Sequence, residues 1–246
     1  MEEVLMRYRA ALFDMDGTVL DTVSDLTDAI NYSLCQLGHR HDFTDKDGAL
    51  FVGSGILVAF KRALAFENGA DRDDLLLIGT ESEKSMPGFK DFTDEAMKLK
   101  AIFGPFYADH CDIKTAPYAG MTQLLKNLRD CGIRTAVVSN KLDNAVQKIS
   151  PLYFPGLFDV SLGETPEIRR KPAPDMVDEV LRRLDISKKE AVYIGDSEID
   201  IQTAANSSLD CISVSWGFRS KAFLKAHGAT TIAESIEELQ DMLLLC

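Results

Sequence analysis

Asp14-Met15-Asp16-Gly17-Thr18-Val19-Leu20-Asp21-Thr22 follows the apolar run Ala10–Phe13. On a strand, residues two apart point to the same face, so a strand ending here presents Asp14 and Asp16 together. Gly17 then lets the backbone turn sharply. Two neighbouring carboxylates repel unless a cation, a shared proton or a phosphoryl group separates them. Taken alone, the same residues also describe a polar turn after an edge strand.

The order of elements extends this reading. Strand-like apolar runs recur at Ala10–Phe13, Thr135–Ser139, Phe158–Leu162, Ala191–Ile194 and Cys211–Ser215. Helical spacing lies between most of them. Leu124, Leu125 and Leu128 share a face within Met121–Cys131, and Met176, Val177, Val180, Leu181 and Leu184 do so within Asp175–Leu184. Pro174 suits the first turn of the latter. A last unit runs from Thr230–Ala233 into Ile236–Leu245. Such alternation predicts an α/β fold with a Rossmann-like parallel sheet. The exception is Val23–Thr115, with helical patterns at Leu26–Leu37, Ile56–Phe66 and Phe92–Tyr107 and no strand pattern. A structureless loop of that length is improbable, so an inserted helical cap domain is expected over 23–114, with the core formed by 1–22 and 115–246. Ligands bind at the carboxyl ends of strands in open α/β sheets, where such an insertion forms a lid.

Composition narrows the function classes. The formal net charge of −12 argues against nucleic acid or an anionic membrane surface as partner. No run reaches the roughly 18 apolar residues of a spanning helix. The N-terminus MEEVLMRYRA has no secretory h-region. Cys35, Cys111, Cys131, Cys211 and Cys246 are scattered without a C-x-x-C pair, so free thiols and a cytoplasmic location are expected. Oligomeric state is left open.

Three further strand ends carry polar residues. Ser139-Asn140-Lys141 follows an apolar strand, and its hydroxyl and backbone N–H groups suit either a phosphate oxygen or a helix cap. In Arg169-Arg170-Lys171-Pro172-Ala173-Pro174-Asp175, Pro172 biases Lys171 toward an extended conformation, placing it as a fixed cation or as a solvated basic turn. In Tyr193-Ile194-Gly195-Asp196-Ser197-Glu198-Ile199-Asp200, the acids either complement a helix dipole or join Asp14 and Asp16. Asp14, Asp16 and Asp196 at neighbouring strand ends make an oxygen-rich site suited to Mg²⁺.

These four segments, in this order and with a helical insertion after the first, resemble the haloacid dehalogenase superfamily, and within it the phosphoglycolate phosphatases most closely. Phe51-Val52-Gly53-Ser54-Gly55 and Trp216-Gly217-Phe218 add to the likeness. The resemblance implies a Mg²⁺-dependent phosphatase for a small phosphorylated substrate. Asp14 would attack phosphorus, and Asp16 would protonate the leaving oxygen and later activate water. The Asp14 and Asp196 carboxylates and the Asp16 carbonyl would hold Mg²⁺. Lys171, Ser139 and Asn140, with Thr18, would meet the phosphoryl group, and Asp200 would orient the site. In the cap, Gly53, Ser54 and Gly55 either offer N–H groups to the leaving group or only let the chain bend. Arg219 is read as an exposed arginine or as a partner for a substrate carboxylate. His39 and His41 are read as loop residues, and Lys61 as a snorkelling side chain. Glu164 stands where relatives have an aspartate-rich turn, a departure that weakens transfer of contacts from that loop. Pyrophosphatase, sugar-phosphate phosphatase and phosphomutase activities are the enzymatic alternatives, and a phosphate-binding regulatory module is the non-enzymatic one. The absence of a basic residue in Gly53-Ser54-Gly55-Ile56 disfavours the mutase, and Asp16 disfavours a dehalogenase.

Overall fold

The computed structural model describes residues 7–80 and 82–244, so the N-terminal hexapeptide, Leu245 and Cys246 lie outside the described residues. The chain begins with β1 (Ala10–Phe13) and a short β2 (Leu20–Asp21). Four helices follow: α1 (Val23–Gln36), α2 (Asp45–Phe51), α3 (Ile56–Glu67) and α4 (Thr93–His110). β3 (Ala116–Pro117) then pairs antiparallel with β2, setting Asp21 against Ala116. From there helices and strands alternate: α5 (Met121–Asp130), β4 (Arg134–Leu142), α6 (Asp143–Tyr153), β5 (Val160–Glu164) and α7 (Asp175–Leu184). β6 (Ala191–Gly195), α8 (Glu198–Ser207), β7 (Asp210–Val214), α9 (Lys221–Ala226), β8 (Ile232–Ala233) and α10 (Ile236–Leu244) complete the series.

Two compact units result, one from Met1–Asp21 with Ala116–Cys246 and one from Thr22–Thr115. The first is α/β. Its six-stranded sheet has the order β5-β4-β1-β6-β7-β8, and every pairing in it is parallel. Alternate residues divide between its faces. Ala10 and Leu12 of β1, Ala136 and Val138 of β4, and Tyr193 of β6 join one buried cluster with Met176, Val177, Val180, Leu181 and Leu184 of α7. That spacing is the apolar stripe read from the sequence, and the helix has the expected limits. β5 starts later than expected. Asp159 pairs with Thr135 through its backbone N–H (2.8 Å to the carbonyl) and its carboxylate (2.9 Å from the amide), and Phe158 turns its ring edge toward Phe13. The strand order changes direction at β1, which has β4 on one side and β6 on the other, and such a switch point opens a crevice at the carboxyl ends of the strands.

The second unit is helical, and no strand occurs among its described residues. α2 escaped the sequence reading because it is short and contains Gly48. Its start is nevertheless fixed by a reciprocal cap between Thr44 and Asp47. Gly48 packs so close to α1 that a Cβ there would lie 1.9 Å from the Thr27 hydroxyl. Arg62 is buried on α3 and donates to the Phe51, Val52 and Ile78 carbonyls and to Ser54 Oγ. Lys61 forms an ion pair with Glu83. The two ends of the unit meet at Asp25, whose buried carboxylate accepts the Lys114 N–H (2.9 and 3.0 Å) and the Thr115 N–H (2.8 Å).

Asp25→Ala leaves those two amides without their acceptor. It should lower the stability of the helical unit by about 2–4 kcal/mol, measured by urea unfolding, and raise hydrogen exchange at the Lys114 and Thr115 amides.

Candidate active site

Asp14 follows directly on β1, where its N–H still donates to the Ile194 carbonyl of β6 at 2.9 Å. After it the chain curls around the Met15 carbonyl, which accepts from the amides of Thr18, Val19 and Leu20. Gly17 takes a φ of 82° in this turn, and a Cβ on it would lie 2.5 Å from Asp196 Oδ2. Only glycine meets both demands.

Lys171 is the centre of the charge arrangement. Its Nζ lies 2.8 Å from Asp14 Oδ1 and 2.8 Å from Asp200 Oδ1, and it donates to the Tyr193 hydroxyl at 3.0 Å. The Lys171 backbone is fixed by Asn140, whose side chain donates to the Lys171 carbonyl (3.1 Å) and accepts from its N–H (2.9 Å). The solvated basic turn is therefore ruled out: Lys171 is only 3% exposed. Burial alone would lower the pKa of its ammonium, but Asp14 and Asp200 hold it well above the ordinary lysine value. Asp14 Oδ1 also accepts the Met15 N–H at 2.7 Å. Burial pushes the Asp14 carboxyl up to about 7, against the pull of Lys171 and with the push of Asp200 and Asp16.

Asp196 lies just past β6, and Ser197 caps α8 through a reciprocal pair with Asp200. Asp200 Oδ2 accepts the Ser197 N–H (3.1 Å) and hydroxyl (2.7 Å). Asp200 is thus a helix cap and a partner of Lys171 at once. Asp196 accepts from the Thr18 hydroxyl (3.1 Å) and from the Phe218 N–H (2.7 Å). Burial, then Asp200 and Asp14, push its carboxyl well above the usual range. The 216–219 loop holds this corner. Trp216 Nε1 donates to the Thr18 carbonyl at 3.1 Å, and a Cβ on Gly217 would meet the Gly17 carbonyl at 2.2 Å. Arg219 corrects the expectation of an exposed side chain. It is buried, with its Nε 3.1 Å from Glu198 Oε2 in the first turn of α8.

Asp14, Asp196 and Asp200 converge so that one oxygen from each lies within 4.8 Å of the others, the one such group among the described residues. Its donor set is all oxygen, and desolvation raises two of its acids, so a hard divalent cation fits. The expected ligand set, the Asp14 and Asp196 carboxylates with the Asp16 backbone carbonyl, shares Asp14 and Asp196 with this trio, and the Asp16 carboxylate is not among its oxygens. The Asp16 carboxylate is instead engaged by Lys141, whose Nζ lies 2.8 Å from Oδ1 and 3.1 Å from Oδ2.

Ser139, Asn140 and Lys141 correct a second expectation. They are not at a helix cap but within β4, where pairing with β5 is irregular between Val138 and Leu142, and α6 starts only at Asp143. Ser139 Oγ accepts the Lys141 N–H at 3.2 Å. Lys141 was not singled out from the sequence, although its place two residues after Ser139 on a strand was the available signal. Gly53, Ser54 and Gly55 belong to the helical unit. Both glycines have left-handed φ values, 103° and 84°, and Ser54 Oγ accepts from Arg62 Nη2 at 3.1 Å. His39 lies between Glu67 (3.0 Å) and Glu95 (3.3 Å) in the same unit.

Comparison with known proteins gives this arrangement its relatives. The phosphoglycolate phosphatase of Psychrobacter arcticus is 29% identical over 234 residues, covering 95% of this chain and 94% of its own. That of Pseudomonas putida is 27% identical over 252 residues, covering 97% and 79%. A crystal structure of a candidate phosphoglycolate phosphatase from Lactobacillus delbrueckii subsp. bulgaricus superposes with a TM-score of 0.93 at 52% identity, covering 98% of this chain and 100% of that one. The family profile of the haloacid dehalogenase-like hydrolases matches residues 11–214, from the strand before Asp14 to the end of β7, and the chain belongs to that family.

Proposed function

We propose that this hydrolase removes phosphate from phosphoglycolate through an aspartyl-phosphate on Asp14, with Mg²⁺ as cofactor. The chain is a phosphatase, a phosphoric monoester hydrolase. The observation that carries the finer reading is the buried cluster in which Lys171 Nζ stands 2.8 Å from both Asp14 and Asp200, while the Asp196 carboxylate converges with theirs.

With Oδ1 of Asp14 held by Lys171 and the Met15 N–H, we assign Oδ2 as the attacking oxygen. It forms a bond to phosphorus as the ester P–O bond breaks. The departing alkoxide takes a proton from Asp16. In the second step Asp16 removes a proton from water, the water oxygen bonds to phosphorus, and the bond to Asp14 breaks to release phosphate. Lys171, the Ser139 hydroxyl and the Asn140 region hold the phosphoryl oxygens, because phosphoryl transfer depends on positioning and charge stabilisation more than on covalent chemistry. Thr18 acts by orienting Asp196, and Asp200 by orienting Lys171. Asp14, Asp196 and the Asp16 carbonyl would hold Mg²⁺, which supplies charge neutralisation at the phosphoryl group. In the helical unit, Gly53, Ser54 and Gly55 remain candidate substrate contacts through their backbone N–H groups. The net charge of −12 sets nucleic acid aside as substrate. No helix among the described residues is long and apolar enough to cross a membrane. The scattered thiols fit a cytoplasmic enzyme.

Asp14→Asn should abolish phosphate release while thermal unfolding stays cooperative. Asp16→Ala should lower kcat by about 10²–10⁴, measured as steady-state phosphate release from phosphoglycolate. Retention of near-normal turnover in Asp14→Asn would remove it as the nucleophile.

Chelation should stop turnover, and Mg²⁺ should restore it. The raised Asp14 carboxyl adds a signed pH effect. Below about pH 4 it is protonated in both folded and unfolded chains. As pH rises to about 7 the unfolded chain ionises first, so the metal-free fold loses stability across that window. A bound cation relieves the penalty. The rise in melting temperature on adding Mg²⁺ should therefore be larger at pH 8 than at pH 5.5, read by differential scanning fluorimetry.

A further inference from the structure

The site contains two lysines, and the mechanism uses only Lys171. On the reading that Asp16 protonates the leaving oxygen, we propose that Lys141 is the specificity-determining cation for a carboxylate on the leaving group. The two ammonium groups pair with different acids of the site. Lys171 touches Asp14 and Asp200, the nucleophile's side. Lys141 touches Asp16, with its Nζ 2.8 and 3.1 Å from the two carboxylate oxygens. Asp16 must reach the ester oxygen as it departs, so the next atoms of the leaving group lie beside Asp16 and within reach of its partner. In phosphoglycolate a carboxylate is attached one methylene from that oxygen.

Charge makes such a partner necessary. Asp14, Asp16, Asp196 and Asp200 place four acids here against Lys141 and Lys171. A divalent cation compensates the phosphate, but an additional carboxylate would still face the Asp16 side of the site. Lys141 is suited to meet it. Its side chain is only 4% exposed, which strengthens charge interactions, and a lysine ammonium offers three donors on rotatable bonds. Its backbone is held on β4 by the N–H bond to Ser139 Oγ, so the ammonium has a defined origin. Arg219, the earlier candidate for this role, is buried against Glu198 in a different corner of the site.

The test compares two esters of similar size, phosphoglycolate and 2-hydroxyethyl phosphate, in the wild type, Lys141→Met and Lys141→Arg. The wild type should prefer phosphoglycolate. In Lys141→Met the ratio of kcat/KM for the two esters should fall by about 10- to 100-fold, the range for a hydrogen bond between charged groups, with much of the change in KM for phosphoglycolate. Lys141→Arg keeps the charge and the pairing with Asp16 but extends it. Because the charge is displaced, the ratio of kcat/KM for phosphoglycolate to that for 3-phosphooxypropanoate, whose carboxylate is one methylene further out, should change, and this supplies the answer if the Met variant does not fold. An unchanged ratio of phosphoglycolate to 2-hydroxyethyl phosphate in Lys141→Met, or an unchanged ratio of phosphoglycolate to 3-phosphooxypropanoate in Lys141→Arg, overturns the assignment of Lys141, because a purely structural role at Asp16 slows all these esters alike. A wild type that turns over both esters equally fails the phosphoglycolate reading instead.

Discussion

The site rests on one buried cation. An ammonium group taken from water into the interior costs several kcal/mol of effective desolvation, and removing one partner of such a group typically costs about 3–5 kcal/mol. Lys171 bears this cost because two carboxylates and a tyrosine hydroxyl surround its Nζ. The requirement runs both ways. Asp14 and Asp196 are buried acids whose ionised forms are disfavoured by the same desolvation, and Asp14 draws part of its compensation from Lys171. The cluster is thus poised with more negative groups than positive ones, an arrangement that favours arriving positive charge and an electrophilic phosphorus.

Placing these groups within hydrogen-bond distance requires backbones to approach unusually closely. Gly17, Gly195 and Gly217 are the points of contact. A Cβ on Gly195 would lie 2.2 Å from the Asp200 carboxyl carbon, and those on Gly17 and Gly217 would collide with Asp196. The sheet supplies the coarse position, since β4, β1 and β6 lie side by side. The glycines supply the last ångström, and the 216–219 loop then meets Asp196 with the Phe218 N–H and the Thr18 carbonyl with the Trp216 indole.

Much of this was legible in the sequence because the informative residues are local. Asp14, Asp16 and Asp196 sit just after short apolar strands, and the stripe on α7 repeats without interruption. What escaped was set by long-range pairing. Lys141 gains its meaning from Asp16, and Arg219 from Glu198, partners that no local pattern connects. α6 was missed because Ser150 and Pro151 break its apolar spacing, although Val146 and Ile149 are buried. β2 and β3 are two residues each, below any periodicity, and become strands only because they meet. The pairing of the Asp16 carboxylate escaped for the same reason: it is drawn to a lysine that a linear reading leaves in a turn.

That small ribbon has an evolutionary consequence. Asp21 and Ala116 are hydrogen-bonded neighbours on paired strands, although the whole of Thr22–Thr115 is threaded between them. Within the helical unit, Asp25 ties the returning amides of Lys114 and Thr115 back to α1. The entropy of closing a loop grows only with the logarithm of its length. The α/β unit therefore sees little difference between a long excursion and a short turn at this junction. The junction thus tolerates a segment that is lengthened, shortened or exchanged, because the strand order of the α/β unit does not depend on the length threaded between Asp21 and Ala116.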